Sequence, residues 1–225
     1  MNKESLQGVI KLIIAILCYY FIDNYFFFVL GKIGLNFGGN AYIIMNTVKY
    51  ALICFISYLL YHGTINSSNH KMGKSKLVNV VFSLGAFVLL VFVNLLCHRV
   101  LEYLGHPVSN TFINYFNTTF ILTSALNLII DVILKPFLLV VIFPIGFSNI
   151  IKNINSASLF SGIIYGFLYG LSLNTSFENA FFMSLIPSII IILLTYMYKA
   201  TYNIWIVYIA YALYICCGIY LVGVL

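Results

Sequence analysis

The chain has 225 residues, of which 63% are hydrophobic and 7% are charged, and its formal net charge is +6. A soluble globular domain is roughly 45–50% apolar and about 25% charged, so this composition excludes an ordinary soluble enzyme and indicates that lipid is the solvent. The basic residues are scattered along the sequence rather than clustered, so the positive charge does not indicate a nucleic-acid partner.

Seven apolar runs follow one another, each close to the roughly 20 residues that a helix needs to cross a bilayer core. None alternates polar and apolar residues as a barrel strand would. The sequence therefore predicts an all-α, polytopic membrane helix bundle with about seven transmembrane helices, within a range of six to eight. The fourth run contains Pro136 and Pro144, which predict a tilt, a kink or a break. The runs cover approximately residues 8–30, 41–62, 77–97, 119–146, 156–174, 179–198 and 202–224.

The basic residues between the runs predict the orientation. If the N-terminus lies inside, the outer segments carry only Lys32 and Arg99, and the inner segments carry Lys3, Lys71, Lys74, Lys76, Lys152 and Lys199. The positive-inside rule therefore favours a cytoplasmic N-terminus and an external C-terminus. Richness in Ile, Asn, Tyr, Phe and Lys is typical of an AT-rich bacterial genome, so we expect a multi-pass protein of a bacterial cytoplasmic membrane.

Charged residues inside apolar runs need partners. Asp131 and Lys135 are one helical turn apart in the fourth run, with the acid first, which is the better orientation for a helical ion pair. Asp23 and Lys49 lie at similar distances from the outer ends of the first two runs, so antiparallel neighbours would bring them to one depth. We predict two buried charge pairs that fix helix packing; a polar cavity or ion path is the alternative.

Candidate metal ligands are few. No histidine lies in the interior of an apolar run, and the best cluster is at the outer interface, where His98 and Glu102 are one turn apart and His106 follows. A zinc site typically needs three or four such ligands. Solvated interfacial residues are the simpler interpretation of this cluster, with a ligand set as the alternative.

The stretch "SGIIYGFLYG" carries Gly162, Gly166 and Gly170 at intervals of four residues, with Tyr165 and Tyr169 between them. Small residues at this spacing form a stripe along one helix face, where a second helix backbone can approach closely. The pattern predicts tight helix packing. A catalytic tyrosine would need a base or a metal beside it, and the sequence places none there.

The second half of the chain carries an ordered set of motifs. The loop "GHPVSNTF" precedes three helical segments, "FPIGFSNIIKN", "SGIIYGFLYG" and "YNIWIVYIAYALYI". Over roughly residues 105–217 this order resembles the CPBP family of CAAX-protease and bacteriocin-processing membrane enzymes, also called the Abi family. The positions shared with the family are Pro107, Asn110, Pro144, Ile145, Ser161, Gly166, Asn203 and Trp205.

For active family members the resemblance implies a membrane-embedded site in which a glutamate activates water and histidines bind metal or stabilise the oxyanion. The corresponding positions of this chain hold other residues, and only the change of arginine to Lys152 keeps a charge, without the bidentate geometry of arginine. The resemblance therefore implies a chain with no competent catalytic site and no cofactor. The family-site equivalents are Phe147, Ser148, Lys152, Tyr169, Tyr211 and Ile215.

Three functions stay open. The first is a non-catalytic relative that works as a membrane adaptor, a regulator or a bacteriocin self-immunity protein, with another membrane protein or a peptide as partner. The second is an active intramembrane peptidase with a non-standard site, which would bring zinc or another divalent metal. The third is a small-molecule transport subunit. Residues 1–104 are expected to form N-terminal helices and a cytoplasmic loop, and residues 105–225 the family-like core, within one integral-membrane domain.

Overall fold

A computed structural model describes residues 3–68, 76–105, 121–151, 153–173 and 176–224. Within these ranges the chain forms seven helices and no strand, so the predicted all-α bundle is confirmed. The helices are α1 (Lys3–Lys32), α2 (Gly39–Ser68), α3 (Lys76–Tyr103), α4 (121–151), α5 (Ile154–Ser172), α6 (Phe177–Thr201) and α7 (Ile204–Val224).

Five of the described helices are long and apolar enough to cross a membrane, which supports a multi-pass protein. The sequence analysis predicts about seven such spans. The spans are Leu6–Lys32, Gly39–His62, Val78–Tyr103, Ala125–Ser148 and Phe177–Thr201. α7 contains a shorter apolar stretch, Ile204–Cys217. α5 combines apolar residues with serines, glycines and Asn155.

Helix α4 is the centre of the bundle. Within the most apolar 18 residues of its span 56% of the residues are buried, against 17–39% in the corresponding windows of the other four spans. It contacts α1, α2, α5, α6 and α7, and the six residues 138–143 are almost completely shielded. A helix that is hydrophobic on all sides is expected in this position, because it has protein rather than lipid around it.

The two prolines of α4 do not break the helix; they follow widened turns. The helix changes from α-helical hydrogen bonding to π-helical bonding over Ile130–Leu134 and again over Phe137–Ile142. Lys135 N–H bonds the Ile130 carbonyl five residues back, and Phe143 N–H bonds Leu138 in the same way. Each donor directly precedes a proline, whose ring lacks an N–H and clashes with a normal helical carbonyl. A wider turn relieves that clash.

One carbonyl released by this arrangement is recaptured by a neighbouring helix. Phe143 N–H donates to the Leu138 carbonyl, five residues back. In the same register the Leu139 carbonyl would accept from residue 144, but Pro144 has no N–H. Ser161, which is fully buried in α5, donates its hydroxyl to Leu139 O at 2.6 Å. An unpaired carbonyl in an apolar interior is unfavourable, so this bond attaches α5 to α4 at a fixed height.

The predicted glycine stripe faces α6. A Cβ at Gly162 would lie 2.7 Å from Ser188 O, and one at Gly166 would lie 2.8 Å from Ser184 O; at Gly170 it would lie 3.3 Å from Ala180 O. The residue numbers of the contacts rise by four on α5 and fall by four on α6. The two helices are therefore antiparallel, and each glycine contacts the next turn of α6. The helices therefore pack backbone against backbone, as the small-residue spacing predicts.

Candidate functional site

A polar cavity of about 140 Å³ lies between α1, α2, α4 and α5. Its principal polar groups come from four helices: Tyr19, Asp23, Tyr50, Lys135, Tyr165 and Tyr169. The wall is completed by Tyr20, Asn24, Leu168 and Ser172. A cavity with convergent polar and charged groups inside an apolar bundle is the usual location of a binding site.

The first ion pair at the cavity joins α1 to α2. Lys49 Nζ lies 2.6 Å from Asp23 Oδ1 and also donates to the Asp23 carbonyl at 3.3 Å. The Tyr50 hydroxyl donates to the same Asp23 oxygen at 2.8 Å. Only 7% of the Lys49 side chain is exposed. The Asp23 carboxylate, which Tyr50 also hydrogen-bonds, therefore offsets the cost of burying the Lys49 ammonium. Asp23 and Lys49 therefore form the ion pair that the sequence predicted from their similar distances to the helix ends.

The second ion pair lies within α4. Lys135 Nζ is 2.5 Å from Asp131 Oδ1, one turn earlier. Asp131 lies within the first π-helical turn, which spans Ile130–Leu134, and Lys135 directly follows that turn. The side chains remain 26% and 21% exposed, because Lys135 faces the cavity rather than the closed core.

Tyr50 connects the two pairs. Its ring centroid lies 4.6 Å from Lys49 Nζ and 5.1 Å from Lys135 Nζ, so both ammonium groups interact with one aromatic ring. The formal charges of Asp23, Lys49, Asp131 and Lys135 sum to zero. Helices α1, α2 and α4 therefore build a charge-balanced cluster, and Tyr50, which links its two ion pairs, was not singled out by sequence reasoning.

Part of the hydrogen-bonding capacity around the cavity is unused. Within the described part of the chain, the hydroxyls of Tyr19, Tyr165 and Tyr169 have no hydrogen-bond partner, although all three line the cavity. Both side-chain bonds that Asp23 receives end on Oδ1. Tyr165 and Tyr169 lie side by side, with ring centroids 6.3 Å apart. Groups of this kind are available to water or to a solute.

Two of the family-site equivalents, Phe147 and Tyr169, lie apart from each other. Phe147 is buried near the C-terminal end of α4 and stacks on Phe160, with ring centroids 6.1 Å apart. Tyr169 follows Phe160 by nine residues along α5, a rise of about 14 Å. Phe147 and Tyr169 therefore lie at different depths. Ile215 is buried in the core, and Tyr211 stacks on Tyr214 at 5.8 Å.

The remaining equivalents have local roles or lie outside the description. The Ser148 hydroxyl donates to the Ile145 carbonyl of its own helix at 2.8 Å. Lys152 lies outside the described residues, as do Pro107 and Asn110 of the resembling loop.

The candidate metal ligands are not assembled in the described part of the chain. Glu102 accepts a hydrogen bond from Arg99 at 3.1 Å, and both side chains are largely exposed. His98 lies on the same helix, whereas His106 lies outside the described residues. Among the residues that the structure describes, no group of three or more His, Cys, Asp or Glu side chains could hold a metal ion.

A signal for the cavity was present in the sequence. Tyr19 with Asp23, Tyr20 with Asn24, and Tyr165 with Tyr169 are each four residues apart, so each pair shares one helix face. Polar faces of this kind on apolar helices point into a bundle rather than to lipid. The sequence did not give the relative depth and rotation of α1 and α5, which bring these three pairs to one cavity.

The chain matches no protein-family model, no curated protein and no solved structure. The fold and the site define it as a multi-pass helical membrane protein whose central helix and three neighbours enclose a charge-balanced polar cavity.

Proposed function

We propose that this chain is a non-catalytic relative of the CPBP family that acts by binding, as a membrane adaptor, a regulator or a bacteriocin self-immunity protein. The observation that carries the proposal is the environment of Phe147 and Ile215. Both occupy positions where the resemblance implies polar site residues, and both are packed in the apolar core. Neither side chain can accept a proton or bind a metal, so water activation has no base at these positions.

Metal content and peptide cleavage by the purified protein test the non-catalytic proposal. We expect no stoichiometric zinc and no cleavage of a CAAX-type peptide in proteoliposomes. Stoichiometric zinc, or chelator-sensitive cleavage that disappears in Tyr169→Phe, would establish the peptidase alternative. Tyr208→Phe is a suitable control because it removes a phenol hydroxyl outside the cavity wall.

The cavity supports a second candidate, a small-molecule binding or transport subunit. The specific observation is that charged and hydroxyl groups from α1, α2, α4 and α5 converge on one space and leave hydrogen-bonding capacity unused. Packing alone does not require unpartnered hydroxyls in an apolar bundle. Specific solute uptake into proteoliposomes would support transport, and its absence together with measurable binding would leave a binding subunit.

A further inference from the structure

We propose that the polar cavity binds a small zwitterion, a solute with one carboxylate, one ammonium group and no net charge, such as a small amino acid. The inference deepens the small-molecule function proposed for the cavity and rests on it. It does not depend on whether the chain is catalytic. Three properties of the cavity lead to this ligand class: its charge balance, its unused polar groups and its size.

The charge of the cluster restricts the charge of a ligand. Asp23 and Lys49 form one pair and Asp131 and Lys135 form the other, so no formal charge is left over. In a low-dielectric interior an uncompensated charge is strongly unfavourable. A solute with a net charge would create one, whereas a zwitterion adds equal and opposite charges and keeps the balance.

The polar groups that have no partner at the cavity include hydrogen-bond donors for a ligand carboxylate and an acceptor for a ligand ammonium group. Lys135 has three N–H donors, and Asp131 Oδ1 accepts from the ammonium. The remaining N–H groups and the hydroxyls of Tyr165 and Tyr169 can donate to a ligand carboxylate. Asp23 receives its side-chain bonds on Oδ1, which leaves Oδ2 to accept from a ligand ammonium. Hydrogen bonds to charged groups of this kind are the stronger ones.

The size of the cavity limits the ligand. A volume of about 140 Å³ corresponds to four or five waters at about 30 Å³ each. This space suits a solute of about six non-hydrogen atoms, such as alanine. Leu168 supplies an apolar part of the wall, against which a methyl group can pack.

The cavity reaches one end of the bundle. Ser172 is the last residue of α5, lies in the wall and is exposed. With the proposed orientation, this end faces the outside of the membrane. A solute would therefore enter beside Ser172 and reach Lys135 further down.

Calorimetric titration of the full chain in nanodiscs tests the proposal. The probes are L-alanine and two solutes that each lack one of its charges: propionate has no ammonium, and ethylammonium has no carboxylate. We expect saturable binding of alanine and affinities at least tenfold weaker for the two single-charge probes, because each leaves a net charge in the cavity.

Variants locate the site. Tyr169→Phe should weaken alanine binding about tenfold by removing one donor to a charged group, and Leu168→Trp should abolish binding by filling the space. Tyr208→Phe should bind as the parent chain does. Size-exclusion profiles identify any variant that fails to fold, and Tyr165→Phe then replaces it as the second test of the wall.

Two results would overturn the zwitterion proposal. One is equal or tighter binding of propionate or ethylammonium, which would leave a small-molecule cavity but give it a charged ligand. The other is no binding of glycine, alanine or serine at about 10 mM. Uptake distinguishes the proposals further, since alanine that binds without being transported contradicts only the transport function.

Discussion

At the residue scale, Lys49 is a buried charged side chain whose ammonium group needs several partners. Its ammonium is almost fully buried and depends on one carboxylate oxygen, one backbone carbonyl and two aromatic rings. Tyr50 then completes the hydrogen bonding of Asp23. Removing one member of such a buried pair leaves the other charge uncompensated, whereas removing both leaves none.

Lys49→Met should therefore destabilise the protein by about 3 kcal/mol, and Asp23→Asn combined with Lys49→Met should recover most of that loss. The measurement is thermal unfolding in detergent, followed by tryptophan fluorescence and by aggregation on size exclusion. Arg99→Met is the matched control, because its ion pair with Glu102 is exposed and should contribute little. Equal stability of the Lys49→Met variant and the parent chain would contradict the role given to this pair.

At the scale of the helices, contact between α5 and its neighbours depends on small side chains. Ser161 donates to a carbonyl of α4 that the prolines leave without a helical donor. The glycines on the opposite contact let α5 lie directly on α6. Both features fix the height of α5, and the height of α5 determines where Tyr165 and Tyr169 meet the cavity.

Ser161→Ala should destabilise the bundle by about 1–3 kcal/mol, because the Leu139 carbonyl would lose its donor in an apolar interior. Ser83→Ala is the control. Ser83 is equally buried but donates to the Asn79 carbonyl of its own helix, so its loss leaves a normal helical bond in place. Unfolding temperatures that fall by the same amount in both variants would show that the interhelical bond has no special role.

Gly166→Ala should destabilise by about 1–3 kcal/mol, since the added Cβ meets the Ser188 side chain and the Ser184 carbonyl. Gly85→Ala should be neutral or stabilising by up to about 1 kcal/mol, because a Cβ at Gly85 meets nothing within 4 Å and alanine is the better helix former. Thermal unfolding of the two variants provides the comparison. A neutral Gly166→Ala would mean that the close packing of α5 on α6 is absent in the bilayer.

At the scale of the whole molecule, orientation decides what the cavity can contact. An N-terminus inside places the α1–α2 connection outside and the α4–α5 connection inside. Asn36 and Asn153 are both exposed residues in these connections. We expect Asn36→Cys to react with a membrane-impermeant maleimide in intact cells, and Asn153→Cys to react only after permeabilisation, with the parent chain as background. The reverse pattern would invert the orientation and the side from which the cavity fills.

Much of the architecture was within reach of the sequence. Hydropathy located all seven helices, and distance from the helix ends was enough to pair Asp23 with Lys49. Spacing alone could not give the π-helical turns before Pro136 and Pro144, because a proline in a helix also permits a kink or a break. It could not show that Phe147 packs on Phe160, which lies about 14 Å from Tyr169 along α5, because spacing within each motif does not fix depth between helices.

The sequence also did not reveal the common cavity. Tyr50 looks like any aromatic residue of an apolar helix, and its contacts with both lysines depend on how α2 is rotated against α4. Polar faces on α1 and α5 could be read from four-residue spacing. Their convergence on Lys135 required the packing of four helices at once.

Purification in mild detergent, followed by mass spectrometry of what accompanies the chain, tests most directly whether it works by binding. We predict that a second membrane protein or a peptide is recovered in stoichiometric amount and is lost when the tagged chain is omitted. Recovery of the chain alone, together with cleavage of a peptide substrate, would contradict a non-catalytic protein that acts through a partner.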